Sequence, residues 1–376
     1  MPGDDLPAPS SPATTPSGTS TEGSPMARFR SAPWLAAALA CALLLFGTTG
    51  CDGSGDSAGE EPAAPSGTSG AVYPVTVKHK WGSTTITSEP QRIVTVGLTD
   101  QDAVLALGKV PIATTEWLGS YPGAIGPWAR EWLGDAKLPT VLKDTGTGPQ
   151  VEKIAALKPD VILALHGGLT KDQYTSLSKL APVVAQPKQH GDYRIPWQEL
   201  TQKVGLVLGK PVEAMEAITD TEAQIAAATR IGFKDSRVVM ATRHEDVFVF
   251  GSHDPRSRLL GNLGFRPPQD LDTVIGDRFG ATIDEERTDL LDQDAVVWFV
   301  SDVAKDRAEL HRDPSYRDLT VVSEGREVFV QESGDYGRAT SFASVLSLPY
   351  VVERLALQLA FALDGMPESV VEQPMP

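Results

Sequence analysis

The sequence predicts an α/β protein of two lobes, each built on a mostly parallel sheet, joined by one long helix and separated by a cleft. Three observations lead there. Short β-branched runs, as at 92–97, 161–165 and 183–185, alternate with stretches of helical pattern, and such alternation marks βα units. Residues 212–230 contain no Gly or Pro and set Met215, Ile218, Ala223, Ile225 and Ala226 among acids. A helix of that size is about 30 Å long, enough to cross from one lobe to the other. Lastly, 152–163 and 286–297 both run from helix into strand, with Glu, Leu, Asp and the following apolar run at identical spacing.

Taken in order, residues 1–50 read as a leader. Residues 1–25 are rich in Pro, Ser, Thr and Gly without Lys or Arg, so translation is expected to start at Met26, or this segment is an unstructured extension. Arg28 and Arg30 then precede an apolar run over 32–46 and the small residues Gly47-Thr48-Thr49-Gly50 before Cys51. Charged head, short apolar core and small-residue cleavage site make an export signal. The core is shorter than the ~20 residues a membrane span needs. Cys51 after Thr-Thr-Gly resembles the lipobox of bacterial lipoproteins, with Thr48 where leucine is usual. That resemblance implies a lipid on Cys51 and anchorage to the outer face of the cytoplasmic membrane. A cleaved secretory signal with an incidental cysteine is the plainer alternative. Cys41, the other cysteine, leaves with the signal. Residues 51–71 are Gly, Ser, Ala, Pro and acid, too poor in apolar surface to order themselves; as a tether they reach about 25 Å.

The N-terminal lobe is expected over 72–195. Its first strand, 92–97, leads to a helix at 103–107 that Gly108 stops. Pro111 confines the next strand, 110–114, to an edge or a strand start. A helix around 174–180 separates the strands at 161–165 and 183–185. Connecting helices fill 196–231, broken at Gly209-Lys210-Pro211. The C-terminal lobe, 232–376, has strands at 238–241, 247–250, 295–300 and 328–330 and ends in a helix at 348–363.

A net charge of −16 argues against nucleic acid, which needs a clustered basic face, yet a local group of arginines can still make one cleft positive. Several catalytic motifs fail. Asp144-Thr145-Gly146 imitates an aspartic-protease loop without its second carboxylate loop. Residues 205–210 lack P-loop spacing and meet Pro211 where Ser or Thr is needed. No Gly-x-Ser-x-Gly elbow occurs, and the six histidines are dispersed, which disfavours a direct zinc or manganese receptor.

From about 72 to 365 the chain resembles the substrate-binding lipoproteins of bacterial ABC importers, in the class whose lobes share one rigid helix, and within it the ferric-siderophore binders. The resemblance rests on Arg92-Ile93-Val94, residues 102–108, the Glu-x-Ile-x-x-Leu-Lys-Pro-Asp segment at 152–160, Asp254-Pro255-Arg256 and Ser347-Leu348-Pro349-Tyr350. It implies capture and delivery rather than catalysis, a monomer, and no cofactor beyond the iron inside the chelate. It also implies that Glu152 and Glu286 pair with arginines of a permease dimer. Apart from the resemblance, each glutamate sits where a first-turn carboxylate gains ~0.3–1 kcal/mol from the helix dipole.

Ligands of open α/β sheets collect beyond the carboxyl ends of strands. That rule selects Thr99, Asp100, Glu116, Trp117, Tyr121 and His166 in the first lobe. In the second it selects Arg243, His244, Ser301, Tyr336 and Arg338, with Arg256 in the Asp-Pro-Arg turn. A siderophore supplies six oxygens to its iron, so the protein needs guanidinium donors and aromatic cover instead of metal ligands. Arg243, Arg256 and Arg338 with Trp117, Tyr121 and Tyr336 meet that need; surface or core roles compete at each. Asp254 is a structural partner for Arg256, and Arg258 a rival ligand contact. His166 stands where many relatives have tyrosine. A corrinoid or haem receptor of the same architecture is the nearest alternative, and a surface-tethered hydrolase the alternative from another class.

Overall fold

The computed structural model describes residues 73–143, 148–229, 235–243, 246–369 and 371–374. The export signal, Cys51, the tether, Asp144-Thr145-Gly146 and His244 lie outside the described residues.

The first lobe opens with a hairpin that the sequence reading did not foresee, β1 (Val75–His79) against β2 (Gly82–Ile86), antiparallel and turned at Gly82 with φ 127°. Next come β3 (Ile93–Thr95), α1 (Asp100–Ala106), β4 (Ala113–Glu116), β5 (Thr140–Lys143), α2 (Val151–Leu157), β6 (Val161–Ala164), α3 (Lys171–Leu177) and β7 (Val183–Ala185). Gly108, at φ 70°, stops α1 as expected. Pro111 keeps its own neighbourhood out of the ladder, so β4 starts later than the predicted 110–114. Thr170 and Gln173 close a capping box at the head of α3. The sheet runs β5-β4-β3-β6-β7, all parallel.

Two helices follow, α4 (Trp197–Leu208) and α5 (Pro211–Ala228). Gly209, left-handed at φ 73°, turns the chain between them, and Pro211 opens α5 at the position where its missing N–H costs nothing. α4 packs on α1 and β1, whereas α5 packs on the last helix of the chain, so this pair carries the connection from one lobe to the other. With 18 residues, α5 spans about 27 Å.

The second lobe comprises β8 (Val238–Arg243), β9 (Val247–Phe250), α6 (Pro255–Asn262), α7 (Leu271–Ile275), β10 (Gly280–Thr282), β11 (Ala295–Val300), α8 (Val303–Leu310), α9 (Pro314–Arg317), α10 (Thr320–Ser323), β12 (Glu327–Gln331), α11 (Asp335–Phe342) and α12 (Ser347–Ala362). Its sheet runs β10-β9-β8-β11-β12. Trp298 sits between Ala241 and Phe329 in the parallel part, while β9 runs antiparallel to both its neighbours. The two sheets therefore correspond strand for strand, apart from the direction of β9. Their matching fourth strands, β6 and β11, are those that follow Glu152 and Glu286, so the sequence echo falls on equivalent places.

Each sheet buries its outer face in a local core, around Ile154 and Leu177 in one lobe and around Trp298 and Leu310 in the other. The inner faces share one core, in which Val161 and Leu163 of β6 connect through Val204, Ile218 and Leu355 to Val297 and Phe299 of β11.

Candidate functional site

Strand ends and helix starts of both lobes meet along a seam. On the first-lobe side the loop after β3 is fixed by Asp100, which is fully buried and accepts the backbone N–H groups of Leu165 (2.8 Å) and His166 (2.9 Å). Burial pushes this carboxyl up to about 6. Gly97 is required beside it, since a Cβ there would overlap the carboxylate. Asp100 is thus an internal brace.

His166 is also buried. Its Nε2 lies 3.1 Å from the Tyr193 carbonyl, which can only accept, so Nε2 carries the proton. Nδ1 then accepts from the Thr99 hydroxyl at 2.8 Å. Desolvation drives the imidazole down to about 4. The ring is neutral near pH 7 with both nitrogens engaged; it positions its neighbours and has no proton left for an anionic chelate. Trp117 packs against its edge at 5.9 Å and reaches across the seam to Phe342 of α11 at 5.1 Å.

Tyr121 makes a second crossing. Its hydroxyl donates to Asp335 at 2.6 Å and lies 3.5 Å from the Arg338 guanidinium, whose carbon is 5.5 Å from the ring centroid. Burial, then the Asp335 bond, push this phenol up to about 12. Opposite, Asp254 caps α6, accepting the backbone N–H of Arg256 at 2.9 Å and both sides of its guanidinium at 2.8 Å. That guanidinium sits over the Phe250 ring, its carbon 3.7 Å from the centroid, with 21% of the side chain exposed.

The most available cations are ones the strand-end rule passed over. Arg258 donates to the carbonyls of Arg194 and His253, each at 2.7 Å. Burial, with Arg194 adding to it, lowers its pKa. Arg194 in turn donates to the carbonyl of Asp277 in the other lobe. Neither guanidinium has a carboxylate within ion-pair distance among the described residues. Arg194 follows β7, so extending the rule to that last strand would have found it.

As with His166, two further predicted contacts are corrected. Tyr336 is buried in the inner core, its hydroxyl donating to Gln358 of α12 at 3.0 Å, and burial raises its pKa. An aromatic on the buried face of α11 packs where Arg338, two positions on, does not. Arg243 ends β8 on the outer side of its sheet, because alternation sends Met240 inward and Ala241 outward. It lines a cavity of about 290 Å³ formed by second-lobe residues alone, including Leu310 and Tyr316. Glu152 and Glu286 are exposed, one in the first turn of α2, the other in the 3-10 turn Glu285–Leu291 before β11. Ser301 is exposed beyond β11.

Between the lobes lies a cavity of about 330 Å³, to which the first lobe, α4 and the second lobe all contribute. Residues 114–332 match the periplasmic binding protein family. The chain belongs to that family. Among its relatives is the ferric-anguibactin-binding protein FatB of Vibrio anguillarum, 24% identical over 294 residues that cover 74% of this chain and 86% of FatB. A periplasmic solute binding protein of Mycobacterium smegmatis shares the fold at TM-score 0.67 and 33% identity, over 77% of this chain and 99% of that one. PiaA of Streptococcus pneumoniae, in complex with ferrichrome, superposes at TM-score 0.69 and 25% identity, over 77% and 99%. As in this periplasmic binding protein, two α/β lobes form the body of these structures, and the relatives are binding proteins.

Proposed function

We propose that this chain is the lipid-anchored receptor of an ABC importer and captures a ferric siderophore at the seam between its lobes. The observation that carries the reading is the pairing of guanidinium groups with aromatic cover along that seam. Among the described residues Arg194 and Arg258 donate only to carbonyls, so each keeps N–H groups for the oxygens of an incoming chelate. Arg338 stands next to Tyr121, and Trp117 supplies an indole face. Arg256 keeps about a fifth of its side chain exposed while paired with Asp254. Iron then stays inside its chelate from capture to release. The names of FatB and of the PiaA–ferrichrome complex support the same ligand class.

Delivery uses Glu152 and Glu286 as a matched pair of contacts to a two-fold permease, and Cys51, lipidated, holds the body near it. α5, as the connecting rod, limits lobe closure to a small movement. The test is tryptophan quenching with one ferric hydroxamate, one catecholate and one citrate-type chelate, with haem and cobalamin alongside. Saturable quenching by one ferric chelate is expected; saturation by haem or cobalamin alone would replace the reading with theirs.

A further inference from the structure

The cavity between the lobes is more apolar than a ferric chelate requires. Its wall includes Ala103 of α1, Ile195, Trp197 and Leu200 at the head of α4, and Phe250 and Leu260 of the second lobe. At about 330 Å³ it falls in the size range of small-molecule sites. An iron centre wrapped in oxygens would lose solvation there without recovering it from carbon.

Polar side chains such as Ser252, Ser257 and Asn262 also line the cavity, and two polar features bear on the ligand. The Trp197 indole N–H is buried and has no hydrogen-bond partner among the described residues, in a residue only 9% exposed. A buried donor left unpaired is costly, and native structures satisfy nearly all of them. The second feature is Arg258, which lines the same cavity while its guanidinium is held by the Arg194 and His253 carbonyls. A buried donor left unpaired beside Ile195, Leu200 and Leu260 suits one carbonyl oxygen on an otherwise hydrocarbon group, and a cation in the same wall suits an anionic head outside it.

We propose that the chelate recognised here carries an amide-linked apolar arm that fills this cavity, its carbonyl accepting from Trp197 Nε1 while the iron-bearing head stays at the seam by Arg258. This rests on the siderophore reading and narrows it to acylated chelates. Each methylene moved from water into the cavity improves affinity about fourfold.

The experiment uses three pairs of ferric chelates: ferrioxamine B, a tris-catecholamide and a citrate-type chelate, each with and without an octanoyl amide. Affinities are measured by calorimetry on the wild-type protein, Ser252→Trp and Trp197→Phe. Ser252 lines the cavity, so a tryptophan there occupies its space; Trp197→Phe keeps an aromatic side chain and removes the N–H together with the five-membered part of the indole. Within whichever pair binds, the acylated member is expected to bind at least tenfold more tightly to wild type. Ser252→Trp should erase that difference, and Trp197→Phe should reduce it several-fold. If Ser252→Trp does not fold, Trp197→Phe carries the test. Equal wild-type affinity within a binding pair, or a difference that both variants retain, overturns the arm and leaves the siderophore reading standing. Failure of all six chelates to bind overturns both.

Discussion

Arg256 is both a candidate ligand contact and the structural partner of Asp254. Asp254 is almost wholly buried and its carboxylate is matched on both oxygens by the Arg256 guanidinium. Removing the arginine strands that charge. Arg256→Ala should therefore cost about 2–4 kcal/mol in urea unfolding, in addition to weakening the chelate, and an unshifted midpoint would deny the pair any structural part. Single residues also set the pH response. His166 titrates near 4 in the fold against 6.5 when unfolded. Its contribution is complete above 6.5 and is lost as pH falls towards 4, by about 2 kcal/mol between pH 7 and 5. Asp100 and Asp102, raised to about 6 by burial, work the other way: their folded forms favour the proton, so stability falls as pH rises from 3.8 through 6. These slopes oppose that of His166 between pH 5 and 7. His166→Gln should tilt the profile towards greater stability at pH 5, and a parallel profile would contradict the assignment of a neutral imidazole.

Among elements, the connecting helices are the most exacting. Gly205 of α4 lies where a Cβ would overlap that of Ala214 in α5, so the two helices approach at the closest spacing a backbone allows. Gly205→Ala should drive them apart at a cost of about 1–3 kcal/mol, read by thermal melting; an unchanged melt would mean that the helices give way freely. These helices were legible in the sequence, because their apolar residues recur at helical spacing and Gly209-Lys210-Pro211 breaks them unambiguously. The short elements were not. β1 and β2 alternate buried and exposed over only five residues each, and β10 is a three-residue ladder held by Phe248, Val249 and Phe250; such runs carry little pattern of their own. Strand ends pointed to Trp117, Tyr121 and Arg338, which lie along the seam, whereas Arg256 came from the Asp-Pro-Arg turn. The same rule misdirected Arg243, since it says which end of a strand a residue occupies and not which face. Tyr336 misled for the matching reason in a helix. Arg194 lies in the loop after the last strand of its lobe, to which the rule was not extended, and Trp197 opens the next helix, where residue type alone gives no sign of what lies across the gap.

For the molecule as a whole, the correspondence of the two sheets gives the docking proposal its geometry. Glu152 and Glu286 precede equivalent strands, so each presents a carboxylate from the same place in its lobe. Glu152→Ala with Glu286→Ala should abolish uptake into cells while leaving the dissociation constant of the chelate unchanged. Full uptake by the double variant would dismiss the assignment.

The lobes are distinct as sheets yet not as folding units, because the inner faces of both sheets, α4, α5, α11 and α12 contribute to one body of hydrocarbon. Asp102 ties across it as well, accepting from Trp128 in one lobe and Ser344 ahead of α12. Neither half could then melt on its own without tearing open the interior of the other. Calorimetry should record one endotherm for both lobes, and a cargo gripped at their junction would delay the collapse of the entire receptor by the same number of degrees everywhere.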